Sequence, residues 1–401
     1  PPRNTSVSVP RLTPDRSVRT TTSPLPGSGS ATGRISPRPG PLSQNAWASS
    51  STSYPSGSSC IGLWYAGRSG DVHISRRLAA VWSAANPCTV RILLTGSSGH
   101  LGEALARSLG HEGHQVIGLD VLESPHTNVV GSIADRGCVR RCMETVDAVV
   151  HTATLHKPHV SSHARQEFVE TNVTGTLTLL EEAVAAGAQR FVFTSSTSVF
   201  GRALVPAPGE PAAWITEDVS DLPRNIYGVT KKAAEDLCEL IHRDAGLACV
   251  ILRTSRFFPD ANVKVNELLY RRVDLEDVVS AHRLALERAP EIGFGRYIIS
   301  ATTPFTRDDL ADLREDAPAV VRRRCPAYEA PYAERGWEMF PAIERVYVNE
   351  RARAALGWVP RYDFRHALAR LAAGEDWRSP LALSVGAKGY HDFSHGVYTT
   401  R

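Results

Sequence analysis

Nowhere in the 401 residues do 18 apolar residues run together, so no helical membrane span is expected. A strong charge of either sign is also lacking. The 45 Lys and Arg face 42 Asp and Glu, and a formal net charge of +3 argues against a nucleic-acid partner. There is no repeated CxxC motif. The seven cysteines (Cys60, Cys88, Cys138, Cys142, Cys238, Cys249 and Cys325) are an odd number. That suits reduced thiols in a cytoplasmic compartment better than a disulfide framework. Cys138 and Cys142 are spaced to share a helix face, but no second pair completes a metal site. Acids are scarce at one end, where Asp15 is the only carboxylate before Asp71.

That scarcity marks a compositional boundary. Residues 1–88 are rich in Ser, Thr, Pro, Gly and Arg, and stretches such as "SPLPGSGSATGRISPRPGPLS" show neither a 3.6 nor a 2.0 period. Such a segment has too little apolar surface to offset its ordering entropy and is expected to be a disordered extension. Its Arg-rich, Ser-rich and acid-poor composition is shared with organelle transit peptides, although no clear amphipathic helix accompanies it. A short helix is expected for "RRLAAVWSAA" at 76–85. The chain as a whole is 42% hydrophobic and 22% charged, the composition of a soluble globular protein long enough for more than one domain.

From Val90 the pattern becomes regular. "VRILLTG" reads as an apolar strand. "HLGEALARSLGHEG" places Leu101, Ala104, Leu105 and Leu109 on one helical face, with Gly113 positioned to stop the helix. "HQVIGLD" is a second strand ending in Asp120, 18 residues beyond Gly102. Strand, glycine turn, helix, strand and acid make a dinucleotide-binding βαβ unit. Gly96 permits the tight turn, Gly99 lets the backbone approach a pyrophosphate, and Gly102 lets the helix pack on the strand. The helix start offers N–H groups to the phosphates. Asp120 is suited to accept from the adenosine ribose hydroxyls and to repel a 2′-phosphate. Val121 and Leu122 bring no arginine, so NAD is expected over NADP.

The alternation continues. "DAVVHTA" (147–153), "RFVFTSS" (190–196) and "CVILRTS" (249–255) read as strands, and "NVTGTLTLLEEAVAAG" and "YGVTKKAAEDLCELIHRDAG" as helices. Repeated βα units imply a doubly wound parallel sheet. Chemistry gathers where "FTSSTSVFG" (193–201) ends a strand in hydroxyls, and where Tyr227 and Lys231 stand four apart on one helix face. Tyrosine ionises near pH 10. Service as a base near pH 7 needs a shift of about 3 units, roughly 4 kcal/mol, which a nearby ammonium and a positive nicotinamide ring can supply. Four histidines, His151, His156, His159 and His163, crowd one segment, but no carboxylate or cysteine completes a ligand set and Pro158 interrupts the spacing. No metal is assigned; His156, Lys157 or His159 is expected to border a substrate pocket. "RRRC" at 322–325 is expected to be a solvated charge run, and Trp337, Met339 and Phe340 to be lobe core.

Taken together, these motifs resemble the extended short-chain dehydrogenase/reductase family, the group of NAD-dependent epimerases and dehydratases. The resemblance runs from Arg91 to about Leu371. TGSSGHLG at 95–102, Asp120, "DAVVHTA", "NVTGT" at 172–176, "FTSSTSVFG", "YGVTK", "LRTSRFFP" at 252–259, "VDLEDVVSAH" at 273–282 and "ALGWVPRYDF" at 355–364 follow the family's order. The resemblance implies Ser196 as the catalytic hydroxyl, Tyr227 as the base and Lys231 as its partner, which also holds the nicotinamide ribose. It implies a cofactor site from Gly96, Ser98, Gly99, His100, Leu101, Gly102, Asp120, Ser132, Ile133, Thr152, Ala153, Thr154, Thr194, Tyr227, Lys231 and Pro259, with Pro259 near the carboxamide. Substrate would meet His156, Lys157, Ser196, Thr197 and Arg256, and Asn172 would be mostly structural. The implied fold is α/β: a doubly wound parallel sheet of Rossmann type over 89–260, a smaller C-terminal α/β substrate lobe over 261–375 sharing sheet and helices with it, and a tail over 376–401.

Departures from the family pattern narrow the chemistry. Ser132 replaces an aspartate that commonly contacts adenine. Thr197 and Ser198 replace the Asp-Glu pair of the 4,6-dehydratases, so water elimination lacks its proton carriers. Glu267 stands where many UDP-sugar epimerases place a diphosphate-binding arginine, although Arg256, Arg271 or Arg272 could substitute. The expectation is an NAD-dependent epimerase or oxidoreductase acting at a secondary alcohol or ketone of a sugar or sugar nucleotide. A reductase of a non-sugar carbonyl and a non-catalytic dinucleotide sensor are the alternatives, and the Ser-Tyr-Lys set argues against the sensor. Expected partners are a small-molecule substrate and a possible second copy of the chain, without nucleic acid or membrane.

Overall fold

The computed structural model describes residues 89–258 and 265–388. The expected extension at 1–88, the helix at 76–85 and Pro259 lie outside the described residues.

Seven strands form one parallel sheet: β1 (Arg91–Thr95), β2 (Gln115–Asp120), β3 (Val129–Val130), β4 (Ala148–His151), β5 (Arg190–Ser196), β7 (Ala248–Thr254) and β8 (Phe294–Ile299). Their order is β3-β2-β1-β4-β5-β7-β8, with every pairing parallel. The inner strands are continuous apolar runs because both faces are covered. Side chains alternate across the pleat. Ile92, Leu94, Val150, Val192, Val250 and Leu252 enter the core under helices α1 (His100–His111) and α6 (Leu275–Ile292). Leu93, Val149, Phe191, Phe193, Cys249 and Ile251 enter a second core under α2 (Arg136–Cys142), α4 (Gly175–Ala185) and α5 (Ile226–Ala245). The doubly wound Rossmann-type sheet expected from the sequence is therefore present.

The sheet order reverses between β1 and β4, which opens a crevice beyond their carboxyl ends. The glycine turn at Gly96–Gly99 lies there. Gly96 adopts φ +74°, and a Cβ on Gly102 would lie 1.9 Å from the Gly96 carbonyl oxygen, so helix and turn touch as closely as backbone permits.

The helix expected at "NVTGTLTLLEEAVAAG" begins earlier and less regularly. A short α3 (Arg165–Phe168) runs through a π-helical stretch, Val169–Thr174, before α4. That widening carries Asn172, whose side chain is bonded on both its oxygen and its nitrogen.

The smaller lobe is built on a parallel pair, β6 (Ala213–Ile215) and β9 (Arg345–Tyr347), with α7 (Leu310–Glu315), α8 (Ala317–Arg324), α9 (Glu329–Arg335) and α11 (Phe364–Ala372). It has its own core around Leu269, Phe305, Val320, Tyr332, Val346 and Phe364, against which Trp337, Met339 and Phe340 pack. Within 261–375, α6 and β8 return to the main sheet, and α10 (Glu350–Leu356) packs on them. The arginines of "RRRC" are paired rather than merely solvated. Arg322 meets Glu329, and Arg323 and Arg324 meet Asp309. Residues 376–388 are no loose tail: Trp377 enters the lobe core, and α12 (Pro380–Val385) packs on α1 and α6.

Candidate active site

One cleft of about 1220 Å³ runs along the carboxyl ends of β1, β2, β4 and β5. It is larger than the usual small-ligand pocket. Every expected site residue inside the described region lines it, from Gly96 and Asp120 at one end to His156, Lys157 and Arg256 at the other.

At the first end, Asp120 closes β2 over the glycine turn. Its two carboxylate oxygens accept the N–H groups of Ser98 and Leu122, each at 3.0 Å. Ser132 Oγ accepts the Ala134 N–H at 3.1 Å and caps the turn after β3. Beneath the turn, Ala153 N–H and His151 Nδ1 both meet Thr95 Oγ1, at 3.3 and 2.8 Å. The Thr176 hydroxyl donates to the Asn172 carbonyl, so His151 Nε2 donates to Thr176 at 3.0 Å and Nδ1 accepts from Thr95. His151 is thus a neutral core histidine, pushed well below its usual pKa first by burial and then by Lys231.

In the middle, β5 and α5 bring Ser196, Tyr227 and Lys231 together. Asn225 caps α5 by accepting the Gly228 N–H at 3.0 Å, which fixes the turn that carries Tyr227. Lys231 Nζ donates to the Thr194 carbonyl at 2.8 Å and lies over the Phe193 ring at 4.6 Å. Burial brings Lys231 down to about 7. Burial also pushes Tyr227 up to about 12, against a hydrogen bond with Ser196 that favours the phenolate. The lowered tyrosine pKa expected from the sequence is therefore not built into the protein alone. Below Thr194, His282 donates from Nδ1 to the Val278 carbonyl (2.8 Å) and accepts from the Thr194 hydroxyl at Nε2 (2.7 Å). Asn172 braces this centre, accepting from Leu155 N–H (2.8 Å) and Thr154 (2.9 Å) and donating to Thr230 on α5 (3.1 Å).

At the far end the histidine segment turns over the cleft. The His156 ring lies 6.4 Å from Tyr227, and His156 N–H donates to His159 Nδ1 at 2.7 Å. Beside it are Lys157, Arg256, Arg271 and Arg345. Burial and the neighbouring guanidiniums, Arg256 first, pull the Lys157 pKa down. Glu267 does not face this space as a repelling carboxylate. It is fully buried and shared by Arg271 (2.6 Å), Arg256 (3.3 Å) and Arg272 (3.3 Å). Burial alone would raise its pKa, but the guanidiniums, Arg271 foremost, hold it below the usual value. The Nε groups of Arg271 and Arg345 are buried without a partner among the described residues.

Arg345, Tyr347 and Lys388 also line the cleft, yet none was found from sequence. Each reaches it from a remote segment with no motif around it.

Residues 92–264 match the NAD dependent epimerase/dehydratase family. A UDP-glucose 4-epimerase of Halalkalibacterium halodurans is 32% identical, over 68% of this chain and 91% of that one. The chain belongs to the NAD-dependent epimerase/dehydratase family. It is an extended short-chain dehydrogenase/reductase. It is also similar to a 2-alkyl-3-oxoalkanoate reductase of Stenotrophomonas maltophilia, 28% identical over 71% of this chain and 99% of that one. Among solved structures, a short-chain dehydrogenase/reductase from Agrobacterium tumefaciens with bound NAD shares the fold with a TM-score of 0.53. Identity is 24%, and the likeness covers 71% of this chain and 96% of that one. Among the described residues no helix is long and apolar enough to cross a membrane.

Proposed function

We propose that the protein is an NAD-dependent enzyme that transfers a hydride to or from a secondary alcohol or ketone of a sugar or sugar nucleotide. The observation that carries this reading is the convergence of Ser196, Tyr227 and Lys231 between a dinucleotide turn and a cationic wall. The residues present suit the cofactor. The Gly96–Gly102 contact leaves backbone bare at the start of α1, where the first N–H groups have no helical partner. Asp120 would take the ribose hydroxyls, which favours NAD over NADP, and Lys231 the nicotinamide ribose.

The cofactor, when bound, would supply the hydride acceptor or donor and, when oxidised, a positive charge in the cleft. Tyr227 Oη would hold the proton of the reacting hydroxyl, and Ser196 would hydrogen-bond the same oxygen. Lys231 would keep a positive charge behind the pair. His156 would border the substrate beside Tyr227. Lys157, Arg271 and Arg345 would take an anionic part of the substrate, because buried guanidinium N–H groups without partners are costly until an acceptor arrives.

A reductase of a non-sugar oxo acid is the second reading. The same cations suit a carboxylate as well as a diphosphate. The cofactor found after purification of the full chain separates the two. Tightly held NAD supports an epimerase that reoxidises its own cofactor, whereas a protein stripped of NAD that consumes NADH with an oxo acid supports the reductase. Failure to bind NAD in any form would overturn both.

A further inference from the structure

We propose that His100 and Lys388 form a second anchor for the diphosphate of the dinucleotide, beside the glycine turn. The inference rests on the NAD-binding reading given above.

His100 is the first residue of α1, and its ring is buried at 2% exposure against the edges of Phe257 and Phe258, 6.1 and 5.8 Å away. Neither ring nitrogen has a hydrogen-bond partner among the described residues. A phenyl ring would fill this apolar place without that penalty, so the unpaired imidazole calls for an explanation. A neutral imidazole always keeps one N–H donor. Burial holds His100 neutral, with its pKa lowered to about 4, and the Lys388 charge acts in the same direction. His100 lines the cleft beside Gly99 and Leu101, at the helix start, where an anion would sit.

Lys388 comes from the opposite end of the chain. Its ammonium donates to the Ser98 carbonyl at 2.7 Å, inside the glycine turn, and pairs with Glu103. Glu103 is already paired with Arg107 on the same helix. Two cations therefore share one carboxylate on this side of the turn. On the other side of Ser98, Asp120 takes the backbone N–H, so acid and cation face different parts of the turn. Packing of α12 on α1 and α6 delivers Lys388, and Arg107 meets Ser384 on the way. The C-terminal segment thereby becomes part of the nucleotide site.

The test is to titrate the full chain with NAD, ADP-ribose, adenosine and NADP, following heat or intrinsic fluorescence. The variants are His100→Phe, His100→Gln and Lys388→Gln, with thermal melting as a control for folding. His100→Phe and Lys388→Gln should each weaken NAD and ADP-ribose about tenfold and leave adenosine within about twofold. His100→Gln, which retains a donor, should recover part of the loss. Wild-type affinity in His100→Phe would overturn the proposal. So would an equal loss for adenosine, which would assign the imidazole to packing alone, or a Lys388→Gln loss confined to NADP, which would assign the ammonium to a 2′-phosphate. A wild-type chain that binds none of the four ligands would instead defeat the NAD reading itself.

Discussion

The Lys231 ammonium donates to the Thr194 carbonyl at 2.8 Å and ties α5 to the end of β5. The contact holds Lys231 beneath Ser196 and Tyr227 and buries it. Burial lowers its pKa from 10.5 to about 7. Between those values the unfolded chain holds a proton that the folded chain has released. Stability from this group is therefore full above about pH 10.5 and is lost as pH falls toward 7, by up to about 1.4 kcal/mol per pH unit. Melting of wild type against Lys231→Met should show wild type gaining ground between about pH 7.5 and pH 9.5. A constant difference across that range would mean the lysine is not desolvated.

The buried imidazoles act at lower pH. His100 and His282 are both brought down from 6.5 to about 4, chiefly by burial. Their contribution is complete above pH 6.5 and disappears as pH falls toward 4, because only the unfolded chain takes up the protons. Chemical denaturation at pH 7 and pH 5 should show a total loss that is about 2 kcal/mol smaller in His282→Gln. Equal slopes would place a water or an acid beside His282.

Glu267 is the counter-charge for three arginines. Glu267→Ala should cost about 3–5 kcal/mol, as expected when one partner of a buried ion pair is removed. Urea denaturation measures this directly. A cost below about 1 kcal/mol would show that the guanidiniums find other acceptors.

In the function proposed above, cofactor choice rests on Asp120, whose carboxylate lies between the N–H groups of Ser98 and Leu122. A 2′-phosphate would meet that carboxylate, for a preference of about 5- to 150-fold for NAD. Asp120→Ala should narrow the gap, mostly by weakening NAD. Equal wild-type affinities for NAD and NADP would show that Asp120 does not face the ribose.

Much of the fold was legible because parallel strands buried on both faces leave unbroken apolar runs. "RFVFTSS" became β5 at the same seven residues. The glycine turn was legible because Gly96 and Gly102 are required sterically. The π-helical stretch at Val169–Thr174 was not, since one extra residue per turn leaves no mark on an apolar pattern. Arg256, Arg271 and Arg272 were named beside Glu267 from the sequence, but that all three meet its carboxylate is visible only in the fold. Lys388 and Arg345 escaped for a related reason: a cation that reaches a site from far along the chain has no local signature.

The measurement closest to the central claim is the ionisation of Tyr227 itself, which needs no knowledge of the substrate. Alone, the protein holds this phenol up at about 12, because burial outweighs its hydrogen bond to Ser196. The near-ultraviolet phenolate absorbance of wild type minus that of Tyr227→Phe should be flat from about pH 6 to pH 9 without ligand. With saturating NAD⁺ it should rise within that range, since a positive ring beside the phenol favours the charged form. A difference spectrum that stays flat below about pH 10 in the NAD⁺ complex, in a protein that binds NAD⁺, would contradict Tyr227 as the base.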